Sequence, residues 1–227
     1  MTLTVLKVPI PFLLLEDGGV PQFLTLLCQF IEENSSEVGI FRENGSSSFQ
    51  QTLNQALAGC PPTLPAATSV HDAACFLKCW LRELPTPLVD PMLVNKYLRT
   101  DDPRWPISVV KNLKEPNRKA LAVIFRTLKE VVNKADINRM TFQNLSICFV
   151  MSFTQNNRGL DYPFPFESFY RCLTTLLTDD KTDFIDRAPL LIPRKPKHNL
   201  STQNFIDPLT PPRLAIRRRA SDATHGR

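Results

Sequence analysis

Side chains able to do acid–base, nucleophilic or metal chemistry are scarce in this chain. Its three histidines are His71, His198 and His225, the last two near the C-terminal end. Histidine is the ordinary proton carrier at neutral pH, so a hydrolase triad is not indicated. There is no GxxxxGK[ST] phosphate loop, no GxGxxG and no HExxH, and the chain is expected to bind no nucleotide by itself. His71, Cys75 and Cys79 share one helical stripe, but a closed metal site needs a fourth ligand that the sequence does not offer, so no metal is expected. What remains is cationic. Arg42 follows an apolar island, Val38-Gly39-Ile40-Phe41, inside a segment (34–48) rich in Asn, Ser and Gly. That pattern describes an anchored loop with Phe41 plugged into the core and Arg42 thrown outward. Lys78 and Arg82 are one helical turn apart, so both project from one face.

Helices must position these groups. Pro21 opens a window in which Phe23, Leu24, Leu27, Cys28, Phe30 and Ile31 recur at helical spacing, predicting a helix over 21–33. A weaker helix is expected over 47–58, ended by Gly59 and Pro61-Pro62. Ser69 stands as an N-cap with Asp72 three positions on, and Val70, Ala73, Phe76, Leu77, Trp80, Leu81 and Leu84 line one side before Pro85 and Pro87 stop the helix. Asp90-Pro91 starts a short helix to about 98, and a loop containing prolines and Trp105 is expected next. Pro116 opens a long helix to about 134, and windows 141–152 and 166–177 complete the set. No window alternates with period two, so the body reads as all-α after an extended, proline-studded start.

The 227 residues are 43% hydrophobic and carry a formal charge of +5 that is unevenly placed. Residues 1–187 hold 19 Lys and Arg against 20 Asp and Glu, whereas 188–227 hold eight against two. A neutral body argues against a nucleic-acid-binding face, which would concentrate Lys and Arg within the folded part. From 188 onward Pro, Arg, Lys, Ser and Asn dominate, a composition that buries too little apolar surface to offset ordering entropy, and a disordered basic tail is expected. The longest uncharged apolar stretch, 18–31, is too short to span a membrane, and Lys7, Pro9 and Pro11 interrupt the only candidate for a secretory signal. The six cysteines are scattered without a CxxC pair and read as free, mostly buried thiols. A reducing, cytoplasmic location is expected, with recruitment to membranes or cytoskeleton through partners.

Three strings taken together resemble a known family. Gly39-Ile40-Phe41-Arg42 with Gly45-Ser46, then Phe76-Leu77-Lys78-Cys79-Trp80-Leu81-Arg82-Glu83-Leu84-Pro85-Thr86-Pro87-Leu88, then Asn144-Leu145-Ser146-Ile147-Cys148-Phe149, resemble in order and spacing the signature blocks of the Rho GTPase-activating protein (RhoGAP) domain. Val8-Pro9 and Asp17-Gly18-Gly19-Val20-Pro21 are similar to that domain's start, so the resemblance covers residues 8–187. It implies a single all-helical domain that activates a Rho-type small GTPase in trans, with the basic tail, 188–227, outside it. Arg42 then matches the arginine finger that neutralises charge building on the phosphoryl group, an effect worth about three to five orders of magnitude in rate. Lys78 matches a lysine that contacts the GTPase, and Arg82 an arginine that steadies the finger loop. Asn144 matches an asparagine that either steadies the neighbouring loop or reaches the GTPase, and Ser152 stands where the family carries a polar residue facing the partner. GTP and magnesium would sit on the partner, so no cofactor is expected here.

Departures from the family pattern accompany the matches. Val38 replaces a glutamate, Glu43-Asn44 follow the finger, and Val150-Met151 replace a Gly-Pro pair. Glu43 could draw Arg42 into a pair within the loop, which favours the alternative of a catalytically weak or inactive adaptor that binds Rho-type GTPases. In the tail, residues 208–213 fit a PxxPxR string of the kind read by Src-homology 3 domains, and Ser221 follows an Arg-Arg-Ala string similar to a basophilic-kinase site. Thr210 and Ser221 are the candidate regulatory positions.

Overall fold

The computed structural model describes residues 3–16, 19–100, 105–153 and 155. All of them fall in the first of the two units into which the chain divides, Met1–Ile192. Among the described residues the structure is helical and contains no strand, with one isolated bridge between Leu15 and Pro21. The helices are α1 (Gln22–Glu33), α2 (Gln50–Leu57), α3 (Val70–Glu83), α4 (Pro91–Leu98), α5 (Trp105–Lys111), α6 (Glu115–Val132), α7 (Ala135–Asn138) and α8 (Phe142–Phe153), preceded by a 3-10 turn at Ile10–Phe12. None is long and apolar enough to cross a membrane.

The expected elements form where their caps predict. Ser69 and Asp72 close a reciprocal capping box at the start of α3, and Asp90 accepts from the Met92 amide at the start of α4. Two expectations are corrected. The segment containing Trp105 is helix α5, because Pro106 occupies its first turn, where the missing N–H costs nothing, and Trp105, Val109 and Val110 turn inward together. The cysteines are not mostly buried: Cys28 is, Cys60 is exposed, and Cys75, Cys79 and Cys148 are half-buried. Cys60 lies beside the Gly59 and Pro61 breaker, while Cys75 and Cys79 share the outward stripe of α3 with Lys78 and Arg82. The expected helix over 166–177, Cys172, the tail from 188 with Thr210, Ser221 and the 208–213 string, and the side chains of Val150 and Met151 lie outside the described residues.

The core lies where α1 packs on α3 and α6, and α3 packs on α8. Phe23 of α1 meets Trp80 of α3 edge-on at 5.3 Å. Between α1 and α6, the Thr127 hydroxyl donates to Glu32 Oε1 at 2.8 Å, and Arg126 Nε lies 3.7 Å from the same oxygen. Burial pushes the Cys28 thiol beside them up to about 12, which leaves it an inert packing group. Phe125 of α6 stacks on Phe153 at 5.8 Å, and Phe153 on Phe149 at 5.5 Å. This aromatic column runs from the long helix α6 through α8 and points at the loop between α1 and α2.

Candidate functional site

The loop between α1 and α2 carries Arg42, and its leading arm is anchored from below. Asn138, fully buried at the end of α7, donates through Nδ2 to the Ser35 carbonyl at 2.7 Å and accepts the Gly39 N–H on its own carbonyl at 2.9 Å. Gly39 has φ +72°, a left-handed backbone conformation that favours glycine, and the Glu43 carboxylate lies over it, 2.6 Å from where a Cβ would stand. The amides of Arg42 and Glu43 both donate to the Gly39 carbonyl, at 2.8 and 2.9 Å, closing a tight turn. Within that turn Phe41 adopts φ 70°, a left-handed conformation that bulky side chains rarely take. Its ring repays the strain by completing the aromatic column: it is fully buried and meets Phe149 edge-on at 4.7 Å. The next residue, Arg42, is exposed.

Lys78 reaches across from α3 and donates through Nζ to the Phe41 carbonyl at 2.5 Å. The strained peptide that precedes the arginine is therefore held by a charged donor. Lys78 and Arg42 both lie near Cys148 on α8: burial pushes that thiol up, and the two cations work against the rise. On the trailing arm Glu43 Oε2 lies 3.9 Å from His71 Nε2, and among the described residues no ion pair joins Glu43 to Arg42. The pair expected between Glu43 and Arg42 is not formed. The Ser46 amide donates to Asp72 Oδ1 at 2.7 Å. Asp72 Oδ2 accepts the Ser69 amide and hydroxyl at 3.1 and 2.6 Å. Burial alone would raise the Asp72 carboxyl, but these hydrogen bonds, helped by His71, hold it below the ordinary value of 3.8.

The expected site residues divide on inspection. Arg42 and Lys78 are brought together at the turn. Arg82 is exposed, and no hydrogen bond to the Arg42 loop is found for it among the described residues; the bond from this helix to that loop comes from Lys78. Asn144 donates through Nδ2 to the Arg139 carbonyl at 2.9 Å. It thereby steadies the turn before α8, where Arg139 takes φ 64°. Ser152 is only 1% exposed, so the partner-facing position expected of it is not what the structure shows; it lies inward with its neighbour Phe153. Three contributors were not singled out from the sequence: Asn138, the second role of Asp72, and the pairing of His71 with Glu43. Asp72 was visible as a cap, whereas Asn138 lies in a four-residue turn that no periodicity announces.

Comparison with known proteins finds relatives in sequence and in fold. The model of the RhoGAP domain family matches residues 21–158. The chain is 32% identical over 145 residues to Rho GTPase-activating protein 12 of Mus musculus, covering 59% of this chain and 17% of that protein. To Rho GTPase-activating protein gacA of Dictyostelium discoideum it is 32% identical over 136 residues, covering 58% and 40%. It thus spans less than half the length of these curated relatives. In fold it is similar to the crystal structure of human Rho GTPase activating protein 15, with a TM-score of 0.59 at 24% identity over 73% of this chain and 83% of that one.

Proposed function

Because the chain belongs to the RhoGAP domain family, we propose that it accelerates GTP hydrolysis by a Rho-family small GTPase, with Arg42 entering the partner's site as an arginine finger. One observation carries this reading: Arg42 is exposed although Ile40 and Phe41, immediately before it, are fully buried. A side chain in that position has its root fixed by the core and its head free for a partner. Phosphoryl transfer needs positive charge aimed at oxygens where negative charge builds, and a guanidinium is permanently charged, planar and able to bridge two of them. Positioning is most of the catalytic work, and here it comes from the Gly39 turn, the buried Phe41 ring and Lys78.

In this reading Lys78 supports the finger from behind while Asn144 keeps α8 correctly started beside it. Ser152 contributes from within the helix packing, not by contact. The partner supplies the nucleotide and its magnesium, so the chain acts as a catalytic activator in trans with no cofactor of its own. Its work belongs in the cytoplasm, where GTP-bound small GTPases present themselves.

Single-turnover GTP hydrolysis on a panel of Rho, Rac and Ras-type GTPases tests the proposal. Acceleration of a Rho-type member should fall by about three orders of magnitude or more in Arg42→Ala. If the unaltered chain binds the GTP form yet accelerates nothing, the protein is an adaptor and the finger reading is wrong.

A further inference from the structure

Asp72 does more than cap α3. The capping box occupies Oδ2, which takes both Ser69 donors, whereas Oδ1 accepts the Ser46 amide, 26 positions earlier in the chain. The carboxylate is 6% exposed, so these bonds are not readily replaced by water. The loop approaches so closely that a Cβ built on Gly45 would stand 2.6 Å from both Asp72 Cα and Asp72 Oδ1. Any side chain at 45 must push the loop away from the helix. The Gln50 amide also donates to the Asp72 carbonyl at 3.3 Å, tying the start of α2 to the same turn.

We propose that Asp72 is a positioning residue for Arg42: it clamps the trailing end of the finger loop to the first turn of α3. The role rests on the finger reading above and extends it. Arg42 stands between two fixed points, Phe41 in the core and Ser46 on Asp72, with the four residues 42–45 between them. The adjacent His71 lies 3.9 Å from the carboxylate of Glu43, the acid that follows Arg42 in the chain. A carboxylate suits the place because it is acceptor-only and faces three donors: two amides and a hydroxyl.

The test separates loop positioning from helix capping. Asp72→Ala removes both, Gly45→Ala displaces the loop while keeping the Ser69 and Asp72 side chains that form the cap, and Ser69→Ala weakens the cap while leaving the bond to Ser46. Each is measured for saturating single-turnover rate and for affinity towards the GTP-bound partner, with Arg42 present and in an Arg42→Ala background. Asp72→Ala and Gly45→Ala should lower the saturating rate about 10- to 100-fold with affinity nearly unchanged. Ser69→Ala should stay within about twofold, since a cap acts on stability and not on the finger. The losses should vanish in the Arg42→Ala background, because a residue that acts through Arg42 has nothing left to position. Amide exchange of residues 42–46 in the free chain should quicken in Gly45→Ala and Asp72→Ala. Equal losses with and without Arg42, a Ser69→Ala loss as large as that of Gly45→Ala, or unchanged exchange would each overturn the Asp72 role while leaving the finger intact. An unaltered chain that accelerates no GTPase overturns the finger reading and this role with it.

Discussion

The leading arm of the finger loop, 38–41, ends in two fully buried apolar residues, whereas the trailing arm, 42–48, is exposed at every position except half-buried Gly45. Ile40 and Phe41 are held by burial and by the rings of Phe149, Phe153 and Phe125 behind them. Glu43 and Ser46 are held by single polar contacts to His71 and Asp72. Burial is indifferent to pH and to moderate salt, while a carboxylate–imidazole contact and a carboxylate's hydrogen bonds are sensitive to one or both. The leading arm of the Arg42 loop is therefore a packing problem and its trailing arm an electrostatic one.

The largest effect is expected on the packed arm. Phe149→Ala opens the aromatic column and should cost about 3–5 kcal/mol of unfolding free energy in urea. A loss below about 1 kcal/mol would mean that Phe41 is not anchored through Phe149. Lys78→Met keeps the aliphatic stem and deletes the donor to the Phe41 carbonyl, for a cost of about 1.5 kcal/mol and a lower saturating hydrolysis rate. If stability drops while the rate does not, Lys78 supports the fold and not the finger.

The polar arm should respond to acid. The Asp72 carboxyl is held below 3.8 in the folded chain, so its contribution is fully present above that value and is lost as pH falls from 3.8 through the lower folded value. The stability difference between the unaltered chain and Asp72→Ala should shrink over that interval, and a difference that stays constant would contradict the clamp. Glu43→Gln should be the mildest change, within about 0.5 kcal/mol, because its partner lies 3.9 Å away and Glu43 is largely exposed. A larger loss in thermal unfolding would promote the His71 contact from a steering interaction to a structural one.

Much of the packed arm could be read in advance. An apolar island in a polar loop has one physically sensible destination, and Phe41 goes there. The capping box at Ser69 and the apolar stripe of α3 were equally legible, because caps and periodicity act over three or four residues. The polar arm was not legible. Asp72 and Ser46 are 26 residues apart, and nothing in either neighbourhood signals the other. Asn138 belongs to the same class, a buried amide whose partners, Ser35 and Val131, come from two distant segments. Proline also misled: Pro106 opens α5 where the prolines around Trp105 read as a loop, since a breaker inside a helix is an ordinary first-turn residue.

By itself the chain's order of residues determined the helices other than α5 and α7, the absence of a nucleotide or metal motif, and the exposure of one arginine behind two buried apolar neighbours. These follow from interactions between residues close in sequence and from the uniform pull of burial. Only the tertiary structure decided that Lys78 donates to the Phe41 carbonyl, that Ser152 is buried, that the Glu43 carboxylate stands near His71, and that one carboxylate serves both a helix cap and a loop. The contacts among them depend on how the loop between α1 and α2 lies against α3, which residue type leaves open.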